Sequence, residues 1–568
     1  MNFVDVIAKR GKKIWFATSE LFRKDYLKPI FVFSFFFIVL EIVYFSIDRL
    51  VSLDDPMFHI RFAEIIRERG FGVFKDFHWI YPLDVSTGGD FNYYNFLFYV
   101  ALIPFTYIKP LVLGLKLYGV VFFSLSLTIL YYFLKNIKVN HPFLWVMLFL
   151  SLANYTLINR FLVVRSFSLA PILLILELYY LYKGKYSGVF VISLAYFYWH
   201  NATFIFPLVI SIVYFISEKF YGKKTDLRPI LYSVSAILIS SALALLYSRD
   251  FFSAFYTIFD MFNETIIKNK VAIAEGSELY PVDFYDYFRS NMPIISLYLA
   301  SIIFEICQYI QRRRANGGSL SVYYSREQIL KMSLFVLSLA FFAGIFYTRR
   351  LEDFFVFFSI CYIAISFNEM LRTIDFGDKI VKKSVAATLA ILCGYLFMGN
   401  LLFFQDRIAS QRPYDAIKGA AEWLKNNTEE KEIIFYPTWN WFTILFYYNT
   451  HNYYIIGLEP RVLYDFDNEL YWGWWNISTN GYLCTKDKCD DKKEEKRLYL
   501  KGDKDKEDRY YENEGNLIAD YIRSNFHSRY IVTSGAFQNL NAIMEKSKRF
   551  EKVFTDNTYR EYYIYEVR

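Results

Sequence analysis

Long apolar runs separated by short basic turns dominate the chain as far as residue 403. The runs fall at 29–47, 112–134, 143–158, 167–182, 187–199, 202–217, 229–247, 292–310, 330–346, 354–368 and 384–403. Their length and near-continuous apolar character predict eleven membrane-crossing helices. A further apolar stretch, 94–108, is flanked by Asn92 and Pro110. Counting it as a span would invert every later loop, so it is expected to lie along the membrane surface.

Basic residues orient this pattern. Lys and Arg concentrate in the N-terminal arm, in the Lys135/Lys138 and Lys183/Lys185 turns, and in loop 219–228. They recur in Arg312-Arg313-Arg314 and in loop 379–383. With the N-terminus inside, all of these fall on one side, as the positive-inside rule requires. Loops 48–111 and 248–291, and everything after about residue 405, then face outward. The basic arm (Lys9, Arg10, Lys12, Lys13) precedes an apolar run without a small-residue cleavage site, which reads as a retained anchor.

After residue 405 the periodicity changes. Residues 414–426 predict an amphipathic helix, 432–436 a strand, 517–526 a helix, 529–533 a strand, and the stretches near 550–567 two more strands. The sum is a small α/β domain. Its Lys/Asp/Glu-rich segment 486–512 has few core-forming residues and is expected to be a mobile loop. The expected organisation is therefore a cytoplasmic arm (1–28), a membrane domain (29–405) and an extracytoplasmic α/β domain (406–568).

Composition supports the membrane class. Of 568 residues, 55% are hydrophobic and 21% aromatic, an excess that soluble proteins rarely carry. The net charge of +7 is modest, so its placement says more than its sum. Cys307, Cys361 and Cys393 sit in apolar runs and read as packing residues. Cys484 and Cys489 lie in a polar loop and read equally as two surface thiols or as a local disulfide. Glu41, Glu177 and Glu305 fall inside apolar runs, where a charge must face protein or water.

The first long loop carries the most distinctive chemistry. It reads Asp54-Asp55-Pro56-Met57-Phe58-His59-Ile60-Arg61, with Gly70 further on. Asp, then Pro, then a terminating Gly predict a helix over 56–69 capped by Asp55. Asp55 is either a cap alone or a chemical acid. Asp54 beside it is harder to explain by capping, because adjacent acids repel. His59 follows one turn later, and a lone His there is more often a hydrogen-bond partner than a metal ligand.

The order of these residues resembles a known family. Asp55 to Arg61, Ala63, Gly70, Trp79-Ile80-Tyr81-Pro82-Leu83 and Gly88-Gly89 are similar to the first outer loop of oligosaccharyltransferase catalytic subunits. More broadly they resemble GT-C glycosyltransferases, multi-span enzymes that use polyprenyl-phosphate-linked sugars. The resemblance continues through Pro104-Phe105 and the segment 154–160. It implies that Asp55 is a catalytic or metal-binding acid, and that Glu275, in Ala274-Glu275-Gly276-Ser277, is its partner from the second long loop. It also places Arg350 of the Arg349-Arg350 pair near the donor phosphate, where the paired bonds of a guanidinium match phosphate oxygens. Arg165 is a further candidate for the same pocket, and Asp54 and His59 are supporting residues.

The chain also departs from that family. After Arg160 comes Phe161-Leu162-Val163-Val164-Arg165-Ser166-Phe167-Ser168, without the acid that oligosaccharyltransferases carry there. Trp474-Trp475-Asn476 falls too late, and lacks the following residues, to be the family's Trp-Trp-Asp-Tyr-Gly acceptor reader. The aromatics around 436–448 read equally as sugar-stacking rings or as core packing.

The expected function is transfer of a sugar or glycan from a polyprenyl-phosphate-linked donor to a protein, lipid or glycan acceptor on the extracytoplasmic face. A divalent ion, Mg²⁺ or Mn²⁺, would suit an oxygen-only pair such as Asp55 and Glu275. No nucleic-acid partner is expected. The alternatives are a protein N-oligosaccharyltransferase with a divergent sequon reader and a lipid-linked sugar transporter or flippase.

Overall fold

The computed structural model describes residues 28–89, 95–152, 155–222, 226–244, 280–315, 325–373, 379–500, 504–556, 558–559 and 561–568. The chain divides into two units. One comprises Met1–Asp48, Lys116–Leu238 and Val282–Ala409; the other comprises Arg49–Leu115, Ile239–Pro281 and Ser410–Arg568.

The regular secondary structure of the first unit's described residues is all helical, with no strand among them. Across the described residues, seven helices are long and apolar enough to cross a membrane, from Lys28–Phe45 to Arg349–Arg372. They are compatible with a membrane protein. The expected count of eleven spans is not reached by this measure. The predicted span at 187–199 appears as the shorter apolar helix Tyr186–Trp199. The described parts of 143–158 and 229–247 form Pro142–Leu152 with Tyr155–Leu162, and Arg228–Leu243, while 153–154 and 245–247 lie outside the described residues. A helix of 14 residues rises only about 21 Å, short of the roughly 30 Å hydrocarbon layer. The predicted last span lies within a 31-residue helix, Lys379–Ala409.

The Glu352–Thr373 helix lies at the centre of this unit. It packs against Phe284–Ala315, Arg326–Ile345, Ala170–Lys183 and Pro142–Leu152, and every residue from Phe354 to Ile365 is buried. The Phe284–Ala315 helix kinks where Asn291 leaves helical geometry two residues before Pro293, whose ring removes a backbone donor.

The second unit is built on a five-stranded sheet. Its strands are β1 (Ile433–Phe435), β2 (Tyr453–Tyr454), β3 (Ser528–Ser534), β4 (Phe550–Thr555) and β5 (Tyr562–Val567). Their order is β2-β1-β3-β5-β4. β1 runs parallel to β2 and β3, while β5 runs antiparallel to β3 and β4. The Lys418–Asn427 and Lys504–Asn525 helices supply buried faces such as Ala420, Ala421, Leu424, Ile518 and Ile522.

The segment between the first two long apolar helices belongs to this second unit. Ile80 bridges Tyr454 in parallel register, extending the sheet beyond β2, and the Tyr454 amide donates to Trp79 O at 2.9 Å. The Trp79 indole donates to Thr450 O at 2.8 Å, and Thr443 Oγ1 donates to Leu53 O at 3.3 Å. Phe58 packs tilted against Phe442 and Phe446 at 5.8 and 5.3 Å between ring centroids. Gly457 sits so close that a Cβ there would come within 2.5 Å of the Phe442 ring. The apolar stretch 94–108 forms the short helices Phe96–Leu102 and Ile103–Tyr107, which bury Phe98, Tyr99 and Leu102.

The charged segment expected as a loop is helical over Asp490–Leu500 and Lys504–Asn525. Acids in the first turn of each helix favour it, as do the ion pairs Lys492–Glu495 and Arg497–Glu494 at i,i+3. Tyr499 and Tyr510 stack at 5.6 Å, and the buried Glu514 accepts from the Leu483 amide at 2.6 Å. Among the cysteines, Cys484 and Cys489 form a disulfide; Cys361 and Cys393 are buried, whereas Cys307 is exposed.

Phe442 is fully buried among Phe58, Phe446 and Tyr454. Phe442→Ala should cost about 3–5 kcal/mol. Thermal unfolding of the purified chain should show the loss, and limited proteolysis should cut faster within residues 49–115.

Candidate functional site

The acid-led helix runs Asp55–Arg69, so the N-cap position falls to Asp54 and Asp55 opens the first turn, one residue earlier than the spacing predicts. Asp54 makes no side-chain capping bond in this structure: its φ of −74° and ψ of −120° lie outside the extended geometry that aims a cap at the next amides. The Asp54 carbonyl accepts from the Met57 amide at 3.1 Å. Both acids are half-buried, while Pro56 through Ile60 and Phe62 through Ile66 are buried. The helix ends at Gly70, whose φ of +80° an L side chain adopts only under strain.

His59 is 4% exposed, and its Nδ1 lies 2.8 Å from the Tyr99 hydroxyl. Its ring meets those of Phe58, Phe98 and Tyr99 edge-on. It is a hydrogen-bonded core histidine. Glu64, which sequence reasoning missed, is the buried acid of this helix. Arg61 and Lys109 hydrogen-bond to it, and Arg67 Nη2 lies 3.6 Å away. Burial alone would raise the Glu64 pKa. The bonds and charges of Lys109 and Arg61 outweigh it and hold the carboxyl below its ordinary value.

Most rings around 436–448 are core, while Trp439, Tyr447 and Tyr448 are half-buried. Tyr436, Phe442, Leu445 and Phe446 are fully buried. Trp474 is fully buried as well, its indole donating to Tyr436 O at 2.8 Å. Asn476 ties Trp472 O, Cys484 O and Lys486 O together at 3.0 Å each. The Trp-Trp-Asn sequence therefore supports the domain from within.

The first unit gathers a second set of charges. Arg160 makes a bidentate pair with Asp353. Its Nε lies 2.9 and 2.7 Å from the two carboxyl oxygens, and its Nη2 lies 2.6 Å from Oδ2. Asp353 is fully buried, and the Arg160 guanidinium also faces the Phe167 ring at 4.9 Å. The partner of Arg160 thus lies 193 residues away in the chain. Glu352 is buried beside it, accepting from Asn291 Nδ2 at 3.4 Å, with Arg349 Nε at 3.5 Å.

Arg349 and Arg350 lie on the short 3₁₀ turn Arg349–Leu351, Arg350 exposed and Arg349 partly so. His200, in the link between two apolar helices, was also missed by sequence reasoning. Its Nδ1 lies 3.0 Å from Ser166 Oγ, next to Arg165 in the chain. Burial and then the Arg350 charge push the His200 pKa down to about 3, so the ring is neutral at physiological pH. The signal for it was the Trp199-His200-Asn201 break between two apolar runs. The structure brings Arg350 into electrostatic reach of His200, and Arg165, Arg349 and Arg350 all belong to the first unit. Asp54, Asp55 and His59 belong to the second.

Glu275 lies outside the described residues. Among the described residues no three His, Cys, Asp or Glu side chains come together as a metal site. Hard oxygen donors such as Asp55 suit Mg²⁺ or Mn²⁺ in kind, but the described residues alone do not assemble a donor set.

The chain was compared with known proteins: no family model matches it, and no curated protein matches it.

Two outcomes test these contacts. Removing one partner of the buried pair, as in Arg160→Leu, should cost about 3–5 kcal/mol. Arg160→Leu/Asp353→Leu should recover part of it in thermal unfolding. Glu64 has a depressed folded pKa, so its contribution is complete above the unfolded value of about 4.3 and is lost as pH falls through the folded value. Wild type should therefore exceed Glu64→Gln in melting temperature at neutral pH. The gap should close on acidification below about pH 4.

Proposed function

We propose that the chain is a membrane glycosyltransferase that moves a sugar or glycan from a polyprenyl-phosphate-linked donor to an acceptor on the extracytoplasmic face. The observation that carries this reading is the acid-led helix. Its apolar residues are buried against the second unit's core, and the two carboxyls at its start remain half-exposed. A carboxylate held on a rigid element can accept a proton without reorganising. The motif order from Asp55 to Gly89, with its resemblance to GT-C enzymes, supports the same reading.

In this reaction the acceptor's oxygen or nitrogen attacks the anomeric carbon of the donor. The bond from that carbon to the phosphate oxygen breaks, the phosphate leaves with the electron pair, and the acceptor proton passes to Asp55. Charge that develops on the leaving phosphate is met by cations, the role assigned to Arg350 with Arg349 and Arg165. The buried Glu352 beside Arg349 and the neutral His200 near Arg350 hold this arginine turn in a polar setting.

Incubation of the purified chain with labelled polyprenyl-phosphate-linked sugars and a membrane-protein acceptor extract tests the proposal. Asp55→Ala should lower transfer by about 10²-fold or more with an unchanged melting temperature, and Arg350→Ala should raise the donor KM. Full transfer by Asp55→Ala would end the assignment of Asp55. Transfer of label to nothing by the wild type would end the reading itself.

A further inference from the structure

Three glutamates lie inside the apolar runs, and two of them can be compared directly. Glu305 is accounted for: with Glu369 it holds Lys331, whose Nζ lies 2.8 Å from Glu305 and 2.7 Å from Glu369. Glu177 has no such cation. It sits on the Ala170–Lys183 helix with no exposed surface, and among the described residues no Lys, Arg or His pairs with it. One carboxyl oxygen, Oε1, accepts from Ser211 Oγ at 3.1 Å. The other, Oε2, is buried and has no hydrogen-bond partner among the described residues.

The hydroxyls behind Glu177 line up. A serine has one proton to donate, and Ser211 gives its own to Glu177. At 2.9 Å from Ser233, Ser211 must then accept from it, and Ser233 in turn accepts from Ser193 at 3.4 Å. The three serines come from three further helices, Phe206–Phe220, Arg228–Ala244 and Tyr186–Trp199, and each is at most 1% exposed. All three hydroxyl dipoles point toward the carboxyl group.

A buried carboxylate with one direct donor costs several kcal/mol unless its charge is met. The donors here are carboxyl and hydroxyl oxygens only, with one negative charge. Hard oxygen ligands select hard cations. A divalent ion would leave the site charged, whereas a monovalent one leaves it neutral. We propose that Glu177, with Ser211 and Ser233, forms a buried binding site for a small, hard monovalent cation, sodium or a proton. This site is independent of the transfer reaction proposed above.

The full-length protein in detergent provides the test, with thermal unfolding followed in sodium chloride and in choline chloride at equal ionic strength, over a range of pH. For a sodium site, the wild-type melting temperature rises with sodium concentration above the choline control. For a proton site, sodium has no effect and the melting temperature rises as pH falls. In either case Glu177→Gln, which keeps the shape and removes the charge, abolishes the response, and Ser211→Ala shifts it several-fold to higher cation concentration. The neighbouring titratable group that the Glu177 charge reaches is Tyr196, whose hydroxyl engages Thr203, and Tyr196→Phe should leave the response in place. A Glu177→Gln protein that follows wild type in both titrations overturns the proposal.

Should Glu177→Gln fail to fold, labelling of the wild type with dicyclohexylcarbodiimide decides. The protonated carboxyl adds across one N=C bond to give an O-acylisourea, which rearranges to a stable N-acylurea without loss of atoms. Modification at Glu177 that falls with added sodium or with rising pH supports the site. Modification indifferent to both, or none, overturns it.

Discussion

A helix that opens with two carboxylates and is then apolar for most of its length must be buried along that length, and the segment around Asp55–Arg69 has too few residues to do so alone. Its cover comes from nearly four hundred residues later, where Phe442 and Phe446 meet Phe58, and Thr443 meets Leu53. The Ile80–Tyr454 bridge then makes the same segment part of the sheet. Everything proposed for Asp55 depends on this long-range closure. Without it the acids would ride on a mobile loop, and a mobile base gains little from proximity to a reacting atom.

Buried charge in the first unit is mostly paired, as Glu64 is in the second. Arg160–Asp353 is a pair, and Lys331 with Glu305 and Glu369 a triad in which two carboxyls share one cation. Such groupings contribute little net stability, since desolvation offsets much of the attraction, but they are costly to break. They therefore specify which helices sit together. Glu177 is met by hydroxyls instead, and a chain of neutral dipoles does not neutralise a charge.

Much of the secondary structure was legible in the order of residues. Strong apolar periodicity and the Asp-Pro…Gly signals place the helices within a few residues, and the four strands predicted after residue 430 are all present. The 490–512 segment escaped because its few apolar positions, among them Tyr499, Tyr510 and Tyr511, are spaced among many charges, which dilutes apolar periodicity. The expected span count is not reached in part because a run such as 187–199, though apolar throughout, is shorter than a bilayer-crossing helix. Of the candidate site, Asp54, Asp55, Arg349 and Arg350 were visible as motifs. Glu64, His200 and Asp353 were not, since their meaning lies in partners 45, 34 and 193 residues away.

The residue order by itself determined the apolar helices, the small α/β region and the place of the paired acids at a helix start, because each follows from local periodicity and backbone preference. Only the tertiary structure decided that residues 49–115 fold with the C-terminal sheet, that Tyr436, Phe442 and Phe446 form core, and that Arg160 is answered by Asp353. Those outcomes rest on contacts between distant segments, where burial of rings and pairing of charges choose among partners that no local pattern distinguishes.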